Sequence, residues 1–367
     1  MRPRVELTLT LVLLLAAPSR PAAAVEVYPR ELTLSGHRDR ARIVVTGQTD
    51  DGGIRDRTPE AGYQVENPEI VSVTGDGRVL PKADGTTRIL ADGVPVKVEV
   101  RGVANPRPVS FRHETLPVLS RMGCSSGSCH GAPHGKGGFR LSLRAFDPEL
   151  DAFTLVQEEF GRRTNPIEPE RSLILLKPTT QVSHEGGKKL ERDSQEYQLL
   201  RDWIAEGCPV GGDDEARCVG IEVYPDSARV LTFPDHRQQF AVRALFDDGS
   251  SRDVSHLAVF ETSDDRVATV TRSGLVTGIE RGDVAVIVRY LEHIESTSLT
   301  FVRKIEDFAW TDPPAANYID DLVHAKLRQL QFAPAPLAGD REFIRRLSLD
   351  VTGLLPEPEA VRRFVAD

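Results

Sequence analysis

The chain has 367 residues, 40% of them hydrophobic, and a formal net charge of −9 at pH 7. That length predicts two or more domains, and the apolar content suffices for packed cores. The acidic balance, with no basic stripe interleaved with aromatics, argues against a nucleic-acid binder.

Residues 1–24 read as a secretory signal. Arg2 and Arg4 give a positive start, 7–17 is a mostly apolar run, and Ala22-Ala23-Ala24 offers small residues for cleavage. The run is too short for a spanning helix, and no later segment reaches the roughly 18 apolar residues a transmembrane helix needs. The expected location is therefore periplasm or cell surface, with no transmembrane segment. Cysteines in an exported chain are expected to be oxidised or ligated. The four here form two close pairs, Cys124/Cys129 and Cys208/Cys218.

Residues 25–102 and 219–303 repeat one another. Val25-Glu26-Val27-Tyr28-Pro29 returns as Ile221-Glu222-Val223-Tyr224-Pro225. Asp50-Asp51-Gly52 with Arg55-Asp56 returns as Asp247-Asp248-Gly249 with Arg252-Asp253. Strict alternation at Val94, Val96, Val98 and Val100, and at Val284, Val286 and Val288, predicts strands. The Asp-Asp-Gly triplets could hint at calcium, but two acids before a turn glycine more often make a hairpin.

Between the repeats, 105–215 carries three of the cysteines and His113, His130, His134 and His184. Leu116, Leu119 and Met122 have helical spacing. Asp193 with Glu196 reads as a variant capping box before a helix bearing Tyr197, Leu200 and Ile204, with Gly207 at its end. This segment is expected to be mainly helical. After 304, a helical pattern runs through Ile319, Leu322, Val323 and Leu327. The chain then stops at Asp367 inside what reads as an unfinished helical unit, so a fragment of a longer product is expected.

The central motif is Cys124-Ser-Ser-Gly-Ser-Cys129-His130. Two close thiols, the second followed by histidine, suit covalent c-type haem. The thiols add to the vinyl groups and the imidazole becomes the proximal iron ligand. Four residues separate the cysteines where two are usual. Met1 would leave with the signal and Met122 adjoins the attachment segment, so His184 is the candidate distal ligand. Bis-histidine iron is then expected, lower in potential than His/Met iron. Other readings stay open: a five-coordinate iron, a Cys124–Cys129 disulfide, or structural zinc on Cys124, Cys129, His130 and a remote histidine. Cys208 and Cys218 read as a local disulfide.

These residues carry family resemblances. The repeats at 25–102 and 219–303 resemble the bacterial Ig-like domain of group 2. Residues 105–215 resemble the cytochrome-c-like domain of planctomycete exported proteins, through Cys129-His130-Gly131, Lys136-Gly137-Gly138-Phe139-Arg140, Pro169-Glu170-Arg171-Ser172-Leu173 and His184-Glu185-Gly186-Gly187-Lys188. The block Arg345-Arg346-Leu347-Ser348-Leu349-Asp350 within 304–367 resembles the start of a planctomycete domain of unknown function.

The resemblances imply a multidomain fold: two all-β Ig-like sandwiches flanking an all-α cytochrome-c-like domain, then a partial α-helical domain. The cofactor would be haem c, held by Cys124, Cys129 and His130, with iron on His130 and His184. The expected function is electron transfer to an unknown redox protein, with the Ig-like domains presenting the haem or meeting a cell-surface protein or carbohydrate. The alternatives are a surface-binding or adhesion protein, and an enzyme whose catalytic part lies beyond Asp367. No hydrolytic motif is visible, so no catalytic residue is expected.

Overall fold

The computed structural model describes residues 25–212 and 215–367, so the expected signal at 1–24 lies outside the described residues. Apolar alternation builds two β units. In Val94–Arg101, Val96, Val98 and Val100 are at most 2% exposed while Lys97 faces solvent. The strand Gly282–Tyr290 buries Val284, Val286 and Val288 in the same way.

Each unit has ten strands in sheets of three, four and three. In the first unit the four-stranded sheet pairs Glu31–Ser35 in parallel with Val94–Arg101, which is antiparallel to Gly85–Ala91. The second unit repeats this arrangement with Arg229–Thr232, His293–Val302 and Gly282–Tyr290. Both Asp-Asp-Gly triplets are hairpin turns. Gly52 and Gly249 take positive φ, between Val44–Gln48 and Ile54–Asp56 and between Ala241–Phe246 and Ser251–Asp253.

The expected fold class needs correction. The strands of each β unit are divided among three sheets, not two facing ones. Residues 105–215 do not form an all-α domain: among the described residues the helical stretches are short, namely Phe111–Thr115 running into Leu116–Arg121, Pro148–Ala152 running into Phe153–Gln157, Leu173–Leu176 and Gln195–Ala205, with irregular chain and single turns between them. The reason is local. Left-handed backbone at Arg144, Ala145, Glu159, Phe160 and Thr180 interrupts the segment, and glycine and proline separate the rest. Across the described residues the structure is mostly β-sheet with a few short helices.

The longest helix of this segment also starts differently from expectation. Its cap is Ser194, whose hydroxyl accepts from the Tyr197 amide at 3.2 Å, not Asp193. Its apolar face holds Tyr197, Leu200, Trp203 and Ile204, all at most 4% exposed. Gly207 then takes φ +88° and ends it.

The core of 105–215 is continuous with that of the second β unit, from Phe111 and Trp203 through Ile221 to Phe301, whereas the first β unit keeps a separate core. The Tyr290 hydroxyl donates to the His113 carbonyl at 2.8 Å, and Arg289 to Ser120 Oγ at 2.8 Å. The two β units meet through reciprocal contacts between repeat-equivalent residues. Asp56 accepts from the Gln239 amide at 2.7 Å, and Asp253 accepts from the Arg42 amide at 2.8 Å. Tyr28 stacks on its counterpart Tyr224, with centroids 4.2 Å apart and planes 3° apart. C-terminal to these lie helices Tyr318–Gln329, Asp340–Thr352 and Pro358–Ala366. No described helix is long and apolar enough to cross a membrane.

Candidate functional site

Helix Leu116–Arg121 is anchored by Leu116, Leu119 and the adjoining Met122, all at most 4% exposed. Met122 is thus core, not ligand. The chain then folds back on itself. The Cys129 amide donates to Ser126 O at 3.0 Å, His130 to Cys124 O at 3.0 Å, and Gly131 to Ser126 O at 2.9 Å. A Cβ on Gly131 would lie 2.2 Å from the Ser125 carbonyl, so only glycine fits this turn. The turn places Cys124, Cys129 and His130 on one wall of a cleft of about 360 Å³.

His184 lines the same cleft. Its turn is closed by the Gly187 amide donating to His184 O at 2.9 Å. The His130 and His184 ring centres are 6.5 Å apart and their planes 17° apart. Each ring engages a backbone carbonyl through Nδ1: His130 with Phe139 O at 2.9 Å, His184 with Gly187 O at 2.8 Å. With Nδ1–H donating, Nε2 keeps its lone pair, the tautomer and outer hydrogen bond found in metal-ligating histidines.

The donor types fit a c-type haem: two thiols and two imidazoles line one cleft, and each imidazole has its Nδ1 tied to a carbonyl. Burial pushes the His130 imidazole below its ordinary pKa, which favours the neutral, ligand-competent form. Burial, then Cys129, pushes the Cys124 thiol up to about 12, so it is protonated at neutral pH and slow in thiol exchange. Haem iron asks the protein for two axial ligands, and tetrahedral zinc asks for four. Among the described residues no three His, Cys, Asp or Glu side chains converge closely enough to hold an ion.

Sequence reasoning gave no role to the rest of the wall. Phe139 lies 4.6 Å from the His130 ring, and the Arg163 guanidinium stacks 4.6 Å over Phe139. Arg163 is fixed by Thr154 O at 2.7 Å and Glu158 at 3.0 Å. Leu173, Ile174 and Pro178 complete the apolar lining. The Lys136-Gly137-Gly138-Phe139 run was the available signal, but it does not announce which carbonyl meets the histidine. His134 is exposed and outside the cleft wall.

The second cysteine pair does not form the expected disulfide. Cys208 and Cys218 are both free and buried, and Cys218 Sγ lies 3.5 Å from Gly220 O. Cys208 closes the end of helix Gln195–Ala205, and Cys218 opens a strand paired to Phe246. Cys124 and Cys129 are also free.

A family model described as PSCyt2, a protein of unknown function (DUF1549), matches residues 318–367. The expected domain of unknown function is therefore present there, over the three C-terminal helices and none of the cleft. No curated protein matches the chain. Among solved structures, domains 5–6 of the S-layer protein SbsC align at 12% identity and TM-score 0.29, over 77% of this chain and 98% of that one. Domains 4–9 of the same protein align at 12% identity and TM-score 0.28, over 78% of this chain and 32% of that one. Likeness this loose carries no argument about fold or function.

Proposed function

We propose that the chain is an exported electron-transfer protein carrying haem c. Cys124 and Cys129 would hold the haem through thioethers, and His130 and His184 would ligate its iron. One observation carries this reading. Two imidazoles from distant parts of the chain stand 6.5 Å apart in a cleft walled by both cysteines, each with Nδ1 tied to a carbonyl.

Bound there, haem supplies a one-electron iron couple. The residues do the rest. Phe139 O and Gly187 O orient the two imidazoles and fix their tautomers. Phe139 and Ile174 give the cleft its apolar lining beside His130. Ligation by His130 and His184 would withhold the potential-raising thioether of methionine and set the couple on the low side for a c-type site. The exposed Gly127-Ser128 tip leaves the attachment edge open to a redox partner.

The scaffold in this reading is a set of short helices and turns packed on the second β unit, with no all-α domain. We take 25–102, 105–215, 219–303 and 304–367 as the working units. We relate the β units to the group 2 bacterial Ig-like family, and the insert to planctomycete cytochrome-type modules, by their shared motifs. Export to the periplasm or cell surface follows from the signal-like start.

A pyridine haemochrome spectrum tests the proposal on protein exported by a host competent for c-type maturation. The expected result is a c-type band that survives denaturation and disappears in Cys124→Ser/Cys129→Ser. Colourless protein from that host would overturn it and favour a surface-binding protein. Zinc or a disulfide recovered with that protein would then identify the role of the cysteine pair.

A further inference from the structure

Away from the haem cleft, a second cavity of about 460 Å³ opens where the two β units meet. Tyr28 enters it from the first unit. Tyr224, Glu222 and Arg243 come from the paired strands Cys218–Tyr224 and Ala241–Phe246, and Thr297 from His293–Val302.

The wall is a rigid pair of aromatic rings. Tyr224 is 8% exposed and its hydroxyl accepts from Arg229 at 3.2 Å. Tyr28 stacks parallel on it, is only half-buried, and its hydroxyl has no hydrogen-bond partner among the described residues. Beside them Arg243 Nε donates to Glu222 Oε2 at 2.9 Å, which fixes a planar donor and a planar acceptor in place.

Thr297 also lines the cavity, with its Oγ1 buried away from the opening.

The charges narrow the ligand. Glu222, Asp226 and Glu295 line the cavity against the single cation Arg243, so phosphate, sulfate and carboxylate ligands are repelled. The stacked tyrosines present a flat wall, not the aromatic cage that suits a quaternary cation. A flat C–H face with hydroxyls around its rim meets both demands: the rim pairs with the Tyr28 hydroxyl and the Arg243–Glu222 couple while the face lies on the ring. We infer that this inter-unit cavity is a binding site for a neutral glycan, seating one pyranose against Tyr28. It uses none of the haem residues and stands or falls separately from them.

Calorimetric titration of the full chain with cellotetraose, mannotetraose and N-acetylchitotetraose tests the inference, with a heparin tetrasaccharide and tetralysine as charged probes. At least one neutral sugar should bind saturably. Tyr28→Ala should weaken it about tenfold or more, and Tyr28→Phe severalfold, with circular dichroism unchanged in the conservative variant. Absence of neutral-sugar binding, binding of a charged probe alone, or neutral-sugar binding indifferent to Tyr28→Ala and Tyr28→Phe would overturn it.

Discussion

The first β unit and the segment 105–215 are held in place by different means. In the β unit, side-chain alternation decides what is buried. Val96, Val98 and Val100 go inward because every second residue must, and the sheet hydrogen bonds follow. In 105–215 no period governs the central part. Position there is set by single contacts: a glycine against a carbonyl at 131, a Ser194 cap, an arginine stacked on Phe139. A regular scaffold tolerates many substitutions, whereas a segment built from single contacts can hold two histidines at a chosen spacing but depends on each contact.

Core truncation should separate the two regions most strongly. Trp203 is fully buried, stacks on Phe111 at 5.4 Å and donates to Pro209 O at 2.8 Å. Trp203→Ala should cost about 3–5 kcal/mol. Because that core continues into the second β unit, hydrogen exchange should accelerate in 218–302 as well. Ile89→Ala, in the separate first core, should cost about 2–5 kcal/mol and leave 105–302 protected. Exchange in 218–302 that ignores Trp203→Ala would break the comparison.

The next effect distinguishes a single contact from a period. Gly131→Ala must displace the Ser125 carbonyl and should cost about 1–3 kcal/mol in urea unfolding, with reduced haem incorporation. Gly75, with nothing within 4 Å of its Cβ and no left-handed backbone, should accept alanine with little change.

A third effect belongs to the contact between the β units. Burial raises the Asp253 carboxyl to about 6 from 3.8, against the opposing pull of the Arg42 amide and Ser255. Between those values the folded protein holds a proton that the unfolded chain has released, so this group's contribution to stability falls as pH rises through the window. The span amounts to about 2–3 kcal/mol. His256 acts in the opposite sense: burial and Arg252 hold it neutral, so stability falls as pH drops below 6.5. Comparing wild type with Asp253→Asn isolates the aspartate. Identical pH slopes in the two proteins would contradict the assignment.

The smallest effect is on the surface of the first unit, where Arg88→Ala removes an exposed pair with Glu66. It should change stability by about 1 kcal/mol or less in the same unfolding measurement.

Legibility from sequence follows the same division. The repeat, its hairpins and the inward valines were readable because side-chain period and turn chemistry report directly on strands. The division into three small sheets was not, because register between strands depends on partners distant in sequence. Around the cleft, the candidate residues Cys124, Cys129, His130 and His184 were readable by type and do line one cavity. The expectation of an all-α domain failed because short helical patterns around Leu116 and Tyr197 were extended across glycine and left-handed residues that end them. The carbonyls of Phe139 and Gly187 were invisible, since any residue carries one and only the fold chooses which meets an imidazole.

The central claim is that His130 and His184 serve together as the axial pair. The most direct test is the spin state of the ferric protein, read by optical and electron paramagnetic resonance spectra, in wild type and His184→Ala. The account predicts six-coordinate low-spin iron in wild type and high-spin iron, restored to low-spin by added imidazole, in the variant. A high-spin wild type, or a variant that stays low-spin without imidazole, would contradict it.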